Sequence, residues 1–196
     1  MSTPISVGSD YLDKLRRREP ETLNQAVRDH ARPLSRAARA MGFSSSEAED
    51  LSQDVFVTFL ERLDQFEGKS QLRTWLFGIL HFKMLERRRA LALDSRNDTI
   101  DEIFESHFDA NGSWQRPPAD LERLLISKES GVMIQNCLEG LTANQREAFV
   151  LREIEEICTG DICKILGLTV TNFGVLIHRA RARLRHCLEA KGLNRP

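Results

Sequence analysis

Apolar residues recur along most of the chain at the three- and four-residue intervals of an amphipathic helix. No stretch shows the alternation of a half-buried strand. Leu12, Leu15, Leu23, Val27, Leu34, Ala37, Ala38 and Met41 form the first series. Pro20 and Pro33 interrupt it. Pro20 suits the first turn of a helix, where its missing N–H is not needed. Pro33 is expected to bend or end one, so two helices are predicted in this stretch. Ser44-Ser45-Ser46-Glu47 reads as a helix start, with a serine cap and an acid in the first turn. The helix that follows, about residues 47–63, carries Ala48, Leu51, Val55, Phe59 and Leu63 on one face. Its other face carries Glu49, Asp50, Gln53, Asp54 and Glu61 and is strongly acidic. A Gly68-Lys69-Ser70 loop leads to a further helix, about residues 72–92, ending in Lys83, Arg87, Arg88 and Arg89. Cations suit a helix C-terminus, so these arginines have a purely structural reading as well.

The pattern breaks over residues 91–130, where nine acids face four bases and Asn111-Gly112 and Pro117-Pro118 punctuate the chain. A linker is expected there, with short helical pieces at residues 100–108 and 121–127. Helical periodicity returns at Gly131. Met133, Ile134, Cys137 and Leu138 mark a short helix, and Thr142 caps another that continues to about Ile154. A helix over residues 157–166, a Gly167-Leu168-Thr169 turn and a helix from Val170 to about Ala190 complete the chain.

Two helices joined by a short turn containing glycine describe a helix-turn-helix. Ile157, Ile162 and Ile165 would bury its first helix, and Val170, Phe173, Leu176 and Ile177 its second. Such a second helix presents its N-terminal residues to base edges in the major groove. From Lys164 onward there are seven Lys or Arg and one acid, Glu189, the balance that phosphate contacts use. An ordinary helical hairpin with a solvated basic face fits the same pattern.

Composition narrows the classes. The chain has 196 residues and a formal net charge of −1, so global charge does not point to a polyanionic partner. No apolar run approaches the roughly 18–20 residues of a membrane span, and the first ten residues lack the basic start and apolar stretch of an export signal. Cys137, Cys158, Cys163 and Cys187 form no Cys-x-x-Cys pair and are read as small buried thiols in a reducing compartment. The histidines are scattered, and no metal or other cofactor is predicted. There is no Gly-rich phosphate loop, His-Glu-x-x-His or nucleophile elbow, so neither an enzyme nor a small-molecule substrate is expected.

Three stretches together resemble bacterial extracytoplasmic-function sigma factors of the sigma-70 family. They are the run Glu47 to Phe56, the run Phe66 to Leu76, and Leu141 to Phe149 continuing to His178-Arg179-Ala180-Arg181-Ala182-Arg183-Leu184-Arg185. The resemblance implies an all-α protein of two small helical domains joined by a flexible acidic linker. Residues 1–92 would be sigma region 2, 93–130 the linker and 131–196 region 4. It implies a non-enzymatic factor that binds core RNA polymerase through its clamp helices and flap, directs it to promoter DNA, and helps melt the −10 element. The linker would thread the polymerase near the RNA exit path.

The resemblance also implies site residues. Glu49, Asp50, Gln53 and Asp54 would dock on the clamp helices. Phe66, Lys69, Ser70, Gln71, Arg73 and Trp75 would receive an unstacked base of the −10 element, and Lys83 and Arg87, with Arg88 and Arg89, would follow the DNA backbone. Each has a structural alternative: a solvated acidic face, a core phenylalanine and tryptophan, arginines at a helix end. Thr171, Asn172, Val175, His178, Arg179 and Arg183 fall where family members meet the −35 element. Two departures affect promoter choice: Gly174-Val175-Leu176 replaces more polar readers, and Phe82 stands where Asn is common. Family members are cytoplasmic and nucleoid-associated, and are commonly silenced by an anti-sigma factor, often at the inner membrane. A stand-alone helix-turn-helix regulator is the alternative function at this point.

Overall fold

The computed structural model describes residues 9–90 and 128–191, and all the regular elements among them are helical. The first unit comprises α1 (Ser9–Arg16), α2 (Pro20–Ala40), α3 (Ser45–Glu61) and α4 (Leu72–Ala90). The second comprises α5 (Lys128–Glu139), α6 (Ala143–Phe149), a π-helical turn (Val150–Ile154), α7 (Thr159–Leu166) and α8 (Val170–Ala190). The linker pieces expected at residues 100–108 and 121–127 lie outside the described residues.

Local chemistry accounts for most boundaries. Ser44 caps α3 in a capping box: its Oγ accepts from the Glu47 N–H at 3.3 Å, and the Glu47 carboxylate accepts from the Ser44 N–H at 2.9 Å. The Ser44 hydroxyl, which donates to the same carboxylate at 2.6 Å, and then the Ser44 N–H hold the Glu47 carboxyl below its ordinary pKa. Thr142 and Thr169 cap α6 and α8 by accepting from the N–H groups of Gln145 and Asn172. Gly167 ends α7 in the left-handed conformation, φ 65°, where a side chain would be strained.

Two sequence expectations are corrected here. Pro20 does open α2, but Pro33 lies inside that helix and does not end it. The stripe of Ala26, Leu34, Ala37 and Ala38, buried mainly against α3, carries the helix through the missing hydrogen bond. Cys137 and Cys187 are joined in a disulfide between α5 and α8, with Cα atoms 5.7 Å apart, and Cys158 is exposed. A separation of 50 residues gives no local signal for such a pair.

Leu51, Val55, Phe59, Leu63, Leu76, Phe77, Leu80 and Met84 form the centre of the first unit. Leu138, Phe149, Leu151, Ile162, Phe173, Ala180 and Leu184 form that of the second. The two centres belong to one continuous apolar cluster, because α7 packs on α4 and the π-helical turn on α2.

Candidate polymerase and promoter interface

The outer face of α3 is open. Glu49, Asp50, Gln53 and Asp54 are all exposed, as the inward set Ala48, Leu51, Ser52 and Val55 requires of a helix. Arg87 of α4 lies alongside, 3.7 Å from Asp50 and 3.6 Å from Asp54. With the acids about half exposed, these long ion pairs contribute little to stability. The face therefore keeps most of its negative charge in water, where it can meet a basic partner.

The loop between α3 and α4 has a buried floor and a polar rim. Phe66 is 2% exposed, and its ring centroid lies 5.0 Å from that of Trp75, which in turn meets Phe59 edge-on. Gly68, at φ +72°, lets the loop turn close beneath Leu12. Lys69 and Gln71 are exposed and Ser70 half-buried above this floor, with Lys69 paired to Glu67. The accessible chemistry of the loop is thus polar, and the aromatic pair of Phe66 and Trp75 braces it from below. Lys83 is half-buried, 3.3 Å from Glu86. Arg88, expected along a DNA backbone, is instead 8% exposed, donates to the Met41 carbonyl at 3.3 Å and lies over the Phe43 ring.

Helices α7 and α8 meet at 98°, the angle of a helix-turn-helix. Among the described residues no single helix is long and apolar enough to cross a membrane. Phe173, Ile177, Ala180 and Leu184 point inward along α8. Thr171, Asn172 and Val175 are therefore exposed at its start, with His178 and Arg179 half-buried on the same face one turn later. Desolvation, and then the neighbouring Arg181 and Arg179, lower the pKa of His178. Arg183, one turn beyond Arg179, is engaged within the fold: it donates to Gln145 Oε1 at 2.9 Å and braces α8 against α6. Arg181 likewise reaches Glu153 at 2.6 Å.

Family patterns match both units: sigma-70 region 2 over residues 26–93 and sigma-70 region 4 over residues 131–184. A probable RNA polymerase sigma factor of Haemophilus influenzae is 32% identical over 152 residues, covering 74% of this chain and 78% of that one. The sigma-E factor of Escherichia coli, an extracytoplasmic-function sigma factor, is 27% identical over 142 residues, covering 70% and 71%. The chain belongs to the extracytoplasmic-function sigma factors of the sigma-70 family. Among solved structures, CnrH of Cupriavidus metallidurans, in complex with the cytosolic domain of CnrY, superposes with a TM-score of 0.64 at 27% identity, covering 92% of this chain and 96% of that one. Membership sets aside the stand-alone regulator and makes the protein a transcription initiation factor.

The sigma factor also has a charged seam that sequence reasoning missed. Glu155, at the end of the π-helical turn in region 4, has a fully buried side chain held by two cations of region 2, Arg36 at 3.2 Å and Arg73. Glu147 on α6, also buried, lies 2.7 Å from His81 Nδ1 and 3.8 Å from Arg88. Thr74 donates to Asp161 at 3.5 Å along the same seam. Arg146 packs so closely on Gly42 that a Cβ there would overlap its guanidinium. One signal was available in the sequence: Glu147 directly precedes the apolar run Ala148-Phe149-Val150-Leu151, an unusual place for a carboxylate with no partner nearby.

Proposed function

We infer that the two regions of this sigma factor divide the work of initiation, residues 1–92 acting as region 2, 93–130 as the linker and 131–196 as region 4. The observation that supports this best is the pairing, in one chain, of an open acidic helix face with an open helix-turn-helix face. Glu49, Asp50, Gln53 and Asp54 dock on the basic clamp helices of core polymerase, where complementary charge speeds association and fixes register. Region 4 rests on the flap.

At the −10 element an unstacked base needs an aromatic wall and a few polar groups for its edge. Lys69, Ser70 and Gln71 supply the polar groups and Arg73 a cation; half-buried Trp75 is the wall, braced from the core by Phe66. Lys83 and Arg87 continue along the DNA backbone. At the −35 element Thr171, Asn172, Val175, His178 and Arg179 enter the major groove, with Asn172 suited to adenine and Arg179 to guanine or phosphate. Arg183 supports this helix and reaches phosphate only if its bond to Gln145 opens.

An anti-sigma factor holds the protein inactive, tethered at the inner membrane. Two observations support this: the similarity to CnrH, which was solved with a CnrY domain, and a cleft between the regions lined by Arg32, Arg36, Arg39, Glu49, Gln53, Ile134 and Gln135. A helix laid in that cleft covers part of the polymerase-docking face. The active factor works in the cytoplasm, associated with the nucleoid.

The test is Arg179→Ala. Promoter binding by the reconstituted holoenzyme should fall about tenfold or more, in line with about 1–3 kcal/mol per base contact, while affinity for core polymerase holds. Equal loss of both would make Arg179 a structural residue and overturn the assignment.

A further inference from the structure

The loop that carries Lys69, Ser70 and Gln71 has little of its own to set its shape. Its backbone is paired up to Phe66, whose N–H donates to the Leu63 carbonyl, and again from Gln71, whose carbonyl accepts from the Trp75 N–H. Among the described residues no backbone–backbone hydrogen bond falls on Glu67, Gly68, Lys69 or Ser70. Such a segment samples many shapes unless a neighbour selects one.

Helix α1 is that neighbour. Leu15, fully buried, with Leu12 and Tyr11, half-buried, seats it on the core of the first unit. Three of its further contacts go to the loop or to the turn that feeds it. Leu12 lies so close to Gly68 that a Cβ there would stand 2.8 Å from Leu12 Cδ2. Arg16 donates to the Phe66 carbonyl at 3.2 Å. Arg18, just past the helix, lies 3.9 Å from Asp64 in the short 3-10 turn Leu63–Gln65. That last pair is long and exposed and contributes little alone. Arg18 nonetheless holds φ 55°, a left-handed conformation that residues with a Cβ keep only where their surroundings impose it. The contacts of Leu12 and Arg16 bracket Glu67 and fix the backbone where it enters the polar rim. The region 2 pattern begins at residue 26, so this support comes from a segment ahead of it.

A rim of Lys69, Ser70 and Gln71 can meet a base edge only if it stands at a set height over Trp75. Sites of this kind hold their groups to within about 0.5 Å through supporting contacts. We propose that α1 is the positioning element of the −10 loop: Leu12 and Arg16 hold residues 66–70 in the shape that receives an unstacked base. Ordering the loop then need not accompany capture of the base, which strengthens binding. The proposal rests on the reading of this loop as the −10 surface. Neither residue touches the base; both act through Phe66 and Gly68.

The experiment uses holoenzyme reconstituted with the full chain. The probe is a pool of genomic fragments that includes the upstream DNA of the protein's own operon. Permanganate reactivity of thymines, mapped by sequencing, reads strand opening. Titration with labelled core enzyme reads docking. Leu12→Ala with Arg16→Ala should lower opening about tenfold while affinity for core polymerase holds. Arg16→Ala alone, at an exposed side chain, should lower it about threefold, and Arg16→Lys, which keeps a donor, should recover the loss.

Unchanged opening in the double variant overturns the proposal. Equal loss of opening and of core affinity also overturns it, by making α1 a support of the whole region. Should the double variant lose helicity, the Arg16→Ala and Arg16→Lys pair is read in its place. The −10 reading fails separately: Lys69→Ala with Gln71→Ala would then leave opening unchanged, and the role of α1 would fall with it. Opening that falls in the Lys69 and Gln71 variant but not in the Leu12 and Arg16 variant overturns the positioning role alone.

Discussion

The acids of α3 and the acids of the seam are the same chemical group, a carboxylate, put to opposite use. Asp50 and Asp54 are about half exposed, beside one long-range arginine, and nothing in the fold depends on them. Glu147 and Glu155 are buried, and each needs two basic partners from another part of the chain. Charge left in water is available to a partner protein and cheap to remove. Charge taken out of water specifies a docked geometry and is costly to strand. The two regions differ in the same sense. Region 2 is held by long helices and a core with Phe56, Phe59, Phe66, Phe77 and Trp75. Region 4 has Phe149 and Phe173, one long helix among short ones, and a disulfide. A unit this small gains most from a cross-link.

The largest expected effect comes from that cross-link. Closing a loop with a sequence separation of 50 residues is worth up to about 4 kcal/mol in the chain-entropy account. Cys187→Ser should therefore lower the melting temperature of region 4 strongly and leave region 2 nearly unchanged, as followed by hydrogen exchange of α8 against α3. Equal protection in both proteins would deny the bond a structural role.

Arg88→Ala comes next. It removes a buried bond to Met41, a contact with the Phe43 ring and a partner of Glu147. A loss of about 2–3 kcal/mol is expected in chemical denaturation, below the full cost of a stranded buried charge because Glu147 keeps its nearer contact with His81. Asp50→Ala with Asp54→Ala should cost less than about 0.5 kcal/mol of stability per site, as surface changes do. The same pair should weaken core polymerase binding about tenfold, or about 1.4 kcal/mol. Wild-type affinity in a titration with labelled core enzyme would break the comparison, since the open acids would then have no partner.

The smallest effect is in pH. Burial lowers the pKa of both His30 and His178 below the ordinary value of 6.5. The unfolded chain then binds protons first as pH falls. The stability these groups contribute is present above about pH 6.5 and is lost as pH drops through their lowered values. Thermal melts at pH 7.5 and 5.5 should show a modest loss, reduced in His30→Gln with His178→Gln; a loss of the same size in that variant would assign the effect to other groups.

Local chemistry made much of the fold legible in advance. Ser44, Thr142, Thr169 and Gly167 mark helix ends because caps and left-handed turns depend on nearest neighbours. The acidic face of α3 and the exposed start of α8 follow from helical spacing in the same way. Contacts between distant residues were not legible. Pro33 reads as a breaker until the packing of α2 on α3 is known. Cys137 and Cys187 meet because α5 packs on α8. Phe66 reads equally well as a base-stacking wall or a core residue until its 2% exposure is seen. Apart from the isolated position of Glu147, the seam is illegible for the same reason, since Glu155 lies 119 residues from Arg36 and 82 from Arg73.

The central claim is sigma function itself, and run-off transcription tests it most directly. Purified core polymerase, with and without this protein, is placed on the upstream DNA of the protein's own operon and on a pool of genomic fragments. The account predicts discrete transcripts that require the protein, with start sites that define a −10 and a −35 element. No protein-dependent transcript from any fragment, together with no binding to core polymerase, would contradict it.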